Sequence, residues 1–474
     1  MDLLANSTAT TSNQPLAALG RVVVPVTGGS KVFSGQLLPV TDLFGNTVVL
    51  NLSGTKTFRC TAVSQRVYNM EYFVVVPVTN ATSTLRPYLS TGSPTPNATG
   101  VLLDAPISFT VAHRQTTATN LQLSVNGISV TGSLTTSSNA AGTTVSYTPS
   151  SFLPANSTNT LIAIITDSAG VKLTNAWSFT TINATVTTIP GAYAQPLGSG
   201  AGPGFALRLY KVDDAAPTTA TLLNAEIELA GLRTNLVTSL PYPNLAPGAN
   251  GDGTYAEPNT INYDITGAPT GTPTFNTKSA FPNVTAGGVN NNLAMEALMY
   301  MQLPVGSYHL QVRSDDGFKL TVGPTAANTN LALGSFDGGR GNGTPSDVYF
   351  AVTNSGLYPM RLLYFQAGAG GNVEFYSVSN STPVLLNDPA NASAIKTFLP
   401  PAAPVLLLNP AHSGGATTFS FLSQSLYTHY VEYKNALTDA SWSPLQTIAG
   451  NGSITNVTDN SAVGATRFYR VRTQ

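Results

Sequence analysis

Two adjacent carboxylates, Asp315 and Asp316, stand in the run Ser314 to Gly323, SDDGFKLTVG, directly after a strand-like stretch from Tyr308 to Arg313. Charge is scarce elsewhere. Lys, Arg, Asp and Glu make up 9% of the 474 residues, against roughly 25% in an ordinary soluble domain. Two readings follow from the spacing. Asp accepts hydrogen bonds from its own turn backbone and Gly takes a positive φ at little cost, so Asp-Asp-Gly between strands is ordinary hairpin chemistry. Alternatively, side-by-side carboxylates repel unless backbone N–H groups or a hard, oxygen-seeking cation such as calcium neutralises them.

Other chemistry is thinly supplied. Cys60 is the only cysteine, which excludes an intrachain disulfide and a multi-cysteine zinc site. Within the strand-like Thr55 to Val63 it reads as a buried, inert thiol. His113, His309, His412 and His429 fall at no ligand or triad spacing. An enzyme needs convergent acids, bases or nucleophiles, and no such set is recognisable. Asp315 and Asp316 themselves make a poor pair for glycoside cleavage, because consecutive strand residues point to opposite faces. Glu226, Glu228, Glu296 and Glu374 are further carboxylates that nothing in the sequence singles out. The chain reads as a non-enzyme. The run Phe336 to Gly343, FDGGRGNG, lacks the Gly-Lys-Ser/Thr ending of a phosphate loop; it reads as a turn in which Asp337 and Arg340 pair.

The elements that must carry these residues are strands. Gly 42 and Pro 32, with abundant Ser, Thr and Asn, punctuate short runs of Val, Ile, Thr, Tyr and Phe, the pattern of all-β sandwiches and barrels. A hydrophobic fraction of 42% supplies real cores, so low charge does not mean disorder. A net charge of -1 without a basic stripe argues against nucleic acid, whose binding is driven by phosphate neutralisation. No run approaches the ~18 apolar residues that span a bilayer. The start, MDLLANSTATTSNQ, has no charged stretch followed by an apolar core, so no signal peptide is read in this chain. Ser/Thr/Asn-rich, charge-poor strands nonetheless suit an extracellular or cell-surface protein, and N-x-S/T triplets from Asn6 to Asn456 would permit glycosylation there.

The expected architecture is an all-β, multidomain chain of β-sandwich and β-barrel modules. Residues 1–84 are expected to hold a polar N-terminal arm of nineteen unpatterned residues and then a small, incomplete jelly-roll-like domain whose strands run from Arg21–Val26 to Glu71–Val78. Residues 85–187 alternate as a sandwich, with Asn126-Gly127 and Asp167 to Gly170 as hairpin turns and Trp177 and Phe179 facing inward. Residues 188–384 form the largest unit. It opens on a strand, Phe205 to Val212, and contains a Pro/Gly/Asn-rich stretch from about Pro241 to Thr285, too long for a plain loop and expected to hold structure or a binding rim. Asn292 to Met301 leads into a strand. After a linker at 385–404, residues 405–474 form a last β module with Tyr433 and Trp442 in its core.

Residues Leu303 to Gly323, LPVGSYHLQVRSDDGFKLTVG, and Ser355 to Val378, SGLYPMRLLYFQAGAGGNVEFYSV, together resemble the lectin-like β-barrel family named after anthrax protective antigen, which includes the adhesion domains of yeast flocculins. The match departs slightly, since Pro304 to Tyr308 has one residue fewer before the glycine. In the sugar-binding members the aspartate pair, joined by a cis peptide, holds a calcium ion that also coordinates sugar hydroxyls. The resemblance implies that role for Asp315 and Asp316. It also implies that the loop Ala367 to Asn372 flanks the ion, with Asn372 as a further oxygen ligand. Gly317 departs towards members in which Asp-Asp-Gly is a plain turn, and the flocculin sugar loop has no equivalent here. The segments 1–84, 85–187 and 405–474 resemble, respectively, part of a carbohydrate-binding jelly roll, a bacterial immunoglobulin-like repeat and a fibronectin type III-like module. Two functions are therefore expected: a structural subunit that self-associates into a surface filament or layer, or an adhesin that binds glycans through calcium.

Overall fold

Frequent turn residues between short β-branched and aromatic runs leave little room for helix, and Leu222–Leu229 is the one α-helix among the described residues. The computed structural model describes residues 86–217, 220–286, 291–462 and 466–474, with short pieces at 2–4, 16–18, 22, 38–41, 44, 47, 56–60 and 74–76. No helix among them is long and apolar enough to cross a membrane. The chain divides into two units, residues 1–184 and 185–474.

In the first unit, Asp2–Leu4 pairs antiparallel with Leu16–Ala18 and with Phe58–Arg59. Two short pieces of the expected unpatterned arm, Asp2–Leu4 and Leu16–Ala18, are thus strands, because backbone pairing does not depend on alternating apolar side chains; the rest of the arm lies outside the described residues. Cys60 is exposed, not buried, since it stands just past the end of that short strand. Val74, Val75 and Val76, expected in a strand, lie exposed and outside any strand. Most other strands expected between 21 and 78 fall outside the described residues. From Tyr88 onward, two four-stranded antiparallel sheets form. They share a core of Phe109, Val111, Leu123, Leu161, Trp177 and Phe179. Trp177 satisfies its indole by donating to the Pro94 carbonyl at 3.1 Å. Asn126 and Gly127 both take positive φ, the geometry of a two-residue hairpin.

The second unit carries the paired aspartates. Its strands are β1 (Val186–Ile189), β2 (Phe205–Lys211), β3 (Thr254–Glu257), β4 (Asn262–Asp264), β5 (Leu293–Leu303), β6 (Gly306–Asp315), β7 (Gly317–Val322), β8 (Leu331–Phe336), β9 (Ser346–Val352), β10 (Gly356–Gln366), β11 (Asn372–Ser379), β12 (Thr382–Leu385) and β13 (Thr397–Phe398). One sheet runs β1-β9-β6-β11-β4, with β12 beside β11; the other runs β3-β2-β5-β10-β7-β8, with β13 beside β5. Among the described residues no ladder joins the two, so the barrel expected here is instead a pair of sheets facing each other across one core. Met295, Phe318, Tyr358, Val373 and Phe375 are among the side chains between them. β5 and β10 are apolar almost throughout because both their faces are covered. The inner face meets the core, and on the other side helix α1 (Leu222–Leu229) lays Ala225 and Leu229 on Ala294, Leu363 and Phe365.

The connection from β6 to β7 is a crossing between sheets. β6 pairs with β9 and β11, whereas β7 pairs with β8 and β10. Asp315 and Asp316 therefore do not sit in the hairpin that their spacing suggests. Gly317 earns its place by packing: a Cβ there would lie 2.5 Å from the Phe365 ring and 2.6 Å from the Phe336 carbonyl oxygen. A Gly317→Ala variant is expected to lose about 1–3 kcal/mol, the usual cost of forcing atoms into a full core. Urea unfolding measures it, and a midpoint equal to wild type would contradict the packing argument.

At the C-terminal end, two three-stranded sheets enclose Phe419, Phe421, Val431 and Val457. Tyr433 and Trp442 are not in this core. Arg467 stacks on Tyr433 at 4.1 Å and Arg470 on Trp442 at 4.4 Å, because the last strand, Phe468–Thr473, and the residue before it supply flat cations. Asp459 is 1% exposed. Burial alone would raise its pKa, but hydrogen bonds from Ser461, Arg467 and Tyr469 outweigh that and bring it down to about 2. A carboxylate with a depressed folded pKa stabilises above its unfolded value, 3.8 here, and the gain is lost as pH falls towards about 2. This module is thus expected to loosen between pH 4 and pH 2, an effect that Asp459→Asn should abolish. Acid titration followed by the fluorescence of Trp442 reads it.

Candidate functional site

Two successive rows of polar side chains cross the outer face of the β1-β9-β6-β11-β4 sheet. In an antiparallel pair, residues in register project to the same face. Asp264 of β4 faces Asn372 of β11, which faces Asp315 of β6. Two residues along each strand, Asn262 faces Glu374, which faces Arg313. The inner face of the same strands is apolar, with Tyr263, Val373 and Phe375 in the core. Every polar side chain in these rows therefore projects away from the core, beneath covering loops.

The first row ends at the sheet crossing. Asp316 is 6% exposed; one carboxylate oxygen accepts the Arg340 backbone N–H at 2.9 Å and the other accepts the Ala367 N–H at 2.7 Å. It thereby ties down the Gly-rich loop on one side and the AGAGGN loop on the other. Oδ2 of Asp315 approaches the same AGAGGN loop, lying 3.3 Å from the place a Cβ on Gly370 would occupy. The opposite-face argument fails here, since β6 ends at Asp315 and Asp316 lies off the strand. The peptide between them is cis, as the family resemblance implies.

Burial first, and then the neighbouring Asp316 charge, push Asp315 up to about 7; Asp264 adds to the rise, and the Asn342 N–H and Arg340 oppose it. The backbone of Asp315 is fixed by the Tyr364 hydroxyl, which donates to its carbonyl at 2.7 Å. Asp264 is fully buried. Its oxygens accept the Thr266 hydroxyl at 2.7 Å, the Thr266 N–H at 2.9 Å and the Thr270 hydroxyl at 2.6 Å. Between the two aspartates sits Asn372, also fully buried. Neither its Oδ1 nor its Nδ2 has a hydrogen-bond partner among the described residues.

All three sequence-predicted residues, Asp315, Asp316 and Asn372, thus come together. Asp264 was not foreseen. It lies on a three-residue strand inside the Pro/Gly/Asn-rich stretch, and the only local signal is Asp-Ile-Thr, in which Asp caps its own turn. Arg340 does not pair with Asp337, as the sequence suggests. Its guanidinium stacks on Phe336 at 4.4 Å and donates to the Ser314 carbonyl at 2.9 Å and the Asp316 carbonyl at 3.2 Å. Asp337 instead accepts the Leu222 N–H at the start of α1. The four glutamates are each held by cations: Glu226 and Glu296 by Arg361, Glu228 by Arg233, and Glu374 by Lys278 and Arg313.

Among the described residues, no three His, Cys, Asp or Glu side chains are grouped closely enough to hold a metal ion. Any cation here would have to draw on amide or backbone oxygens as well as the aspartates. Neither a family model nor a curated protein matches the sequence. Among solved structures, the chain is similar to a PA14 sugar-binding domain from an RTX adhesin, at 14% identity over 39% of this chain and 96% of that one, with a TM-score of 0.25. It is similar to the PA14 domain of the MpAFP antifreeze protein, at 16% identity over 44% and 97%, with a TM-score of 0.28. It is also similar to the Epithelial Adhesin 9 A domain from Candida glabrata in complex with Galb1-4GlcNAc, at 13% identity over 45% and 97%, with a TM-score of 0.29.

Proposed function

We propose that the central two-sheet module is a calcium-dependent carbohydrate-binding module of a non-enzymatic surface protein. The observation that carries this reading is Asn372, a fully buried amide with no partner for either polar atom among the described residues, in register between two aspartates. Leaving a buried polar group unpaired costs about 1–3 kcal/mol. An oxygen-seeking cation offsets that cost and favours the ionised form of Asp315, which burial first and then the Asp316 charge oppose. Asp315, Asp316 and the Asn372 carbonyl would hold the ion, and Asp264 would add negative charge from the far side of Asn372. The chemistry the ion supplies is coordination of sugar hydroxyls, and this half of the proposal comes from the resemblance carried by Leu303 to Gly323 and Ser355 to Val378.

A glycan array probed with the full chain, with calcium and then with chelator, tests it. Spots that appear with calcium and vanish with chelator and in Asp315→Ala are expected. An array blank under both conditions would remove the carbohydrate half.

A second reading, a subunit that self-associates into a filament or layer, draws support from the exposed run Val74, Val75 and Val76, which are 49%, 59% and 72% exposed. Three consecutive valines in water are an invitation to β pairing with another copy. Electron microscopy of the native material reads this directly, and a monodisperse monomer at high concentration would count against it.

A further inference from the structure

The second polar row carries a different chemistry. Tyr263 bridges Ser279 in parallel, which places Lys278 beside Asn262; Asn262 faces Glu374 across β4 and β11. The side chains of Lys278 and Glu374 are both fully buried and joined as an ion pair. Asn262 is 6% exposed. Its Nδ2 donates to the carbonyl of Thr277, the residue before Lys278, while its Oδ1 is buried without a partner among the described residues. The backbone N–H groups of Thr274 and Phe275 close over the Glu374 carboxylate at 3.0 and 3.3 Å. An amine, a primary amide and a carboxylate are thus held in one row, the amide carbonyl unengaged.

We propose that Lys278 and Asn262 become joined by an intramolecular isopeptide bond, with Glu374 carrying the protons. Glu374 takes a proton from the Lys278 ammonium, and the free Nζ attacks Cγ of Asn262. The Nζ–Cγ bond forms and the Cγ–Nδ2 bond breaks. The second Nζ proton passes through Glu374 to Nδ2, which leaves as ammonia. Nothing is oxidised or reduced, and no co-reactant is needed. Burial favours the neutral amine that this step requires and lowers the Lys278 pKa, with Glu374 and Asp264 opposing. A cleft of about 290 Å³, lined by Asn259, Asn262, Thr277, Lys278 and Asp388 among others, gives the ammonia a way out.

The bond would close a covalent ring over residues 262–278. Asp264 and the two threonines that hold it, Thr266 and Thr270, lie inside that ring. Thr270 also accepts from Asn342 through its carbonyl at 2.6 Å, and Asn342 donates its backbone N–H to Asp315. The brace therefore acts on the first row, holding its outer flank in place. It rests on the register of the two rows and stands whether or not the first row binds calcium.

The test is mass spectrometry of the full chain, denatured and digested with trypsin. The expected result is one peptide spanning Thr234 to Arg313, uncut after Lys278 and lighter by one ammonia than its sequence. Fragmentation should give no ions from cleavage between Asn262 and Lys278. In Lys278→Arg trypsin should cut after residue 278, and the two halves should each carry their full mass. Glu374→Gln should slow bond formation by roughly 100-fold, the loss expected on removing a general acid–base. A peptide of full mass cut normally after Lys278 overturns the proposal. So does a loss of ammonia with Lys278 still cleavable, which marks a succinimide at Asn262. The wild-type digest decides alone, so a variant that fails to fold leaves the answer intact.

Discussion

Replacing Asp315 by Asn yields a protein harder to unfold than the wild type when calcium is absent, and one that gains nothing when calcium is added. The folded environment raises the Asp315 pKa from 3.8 to about 7. An acid raised in this way contributes stability below its unfolded pKa and loses it as pH rises through the folded value. At pH 8 the metal-free fold therefore carries a charge that it disfavours. Asn copies the neutral form and keeps an oxygen for the Asn342 N–H. The gain should be on the order of 1 kcal/mol, after discounting the shift for the partial exposure of the carboxylate. The gap should narrow as pH falls and close near pH 3, below the unfolded value of 3.8, where the folded and unfolded wild type are both protonated. Urea unfolding at both pH values, with calcium and with chelator, gives all the comparisons. A variant less stable than wild type at pH 8 without calcium would show that Asp315 is a structural anchor.

The neighbouring position should respond with the opposite sign. Asp316→Ala removes the acceptor of two backbone N–H groups, from Arg340 and Ala367, at a site that is 6% exposed. Each orphaned donor costs about 1–3 kcal/mol, so the loss from the two should be about 2–6 kcal/mol with or without calcium. The damage should be local at first: both the Gly-rich loop and the AGAGGN loop lose their tether. Hydrogen exchange at Arg340 and Ala367 should speed up before the rest of the module changes. An Asp316→Ala midpoint within about 0.5 kcal/mol of wild type, the range of a plain surface substitution, would refute this role. Two adjacent aspartates with opposite effects on stability are hard to reconcile with a simple turn.

The sequence made the pair legible because charge is so rare in this chain that two carboxylates side by side need a reason. Asn372 was reached through the resemblance of a second block, and the register between β6 and β11 places it opposite Asp315. Asp264 was hidden for a physical reason. β4 is three residues long and entirely buried, so it shows no alternation, and the segments around it carry the Pro and Gly of a loop. The crossing from one sheet to the other was hidden too. Asp-Asp-Gly after one strand and before another is compatible with a hairpin, and only the partners of β6 and β7 decide between the two. Arg340 was misassigned to Asp337 because proximity in sequence favours local pairs, whereas two aromatic faces and the Ser314 and Asp316 carbonyls compete for it in space. The last module was misread in one respect: Trp442 and Tyr433 are large enough to belong in a core, yet each is covered by an arginine.

Calorimetric titration of calcium into the full chain, beside Asp315→Asn, tests the central claim most directly. The account predicts one saturable binding event with a dissociation constant on the order of 10⁻⁴ to 10⁻³ M, the range of extracellular calcium modules, in wild type and none in the variant. No binding by wild type at millimolar calcium, or equal binding by both proteins, would contradict it.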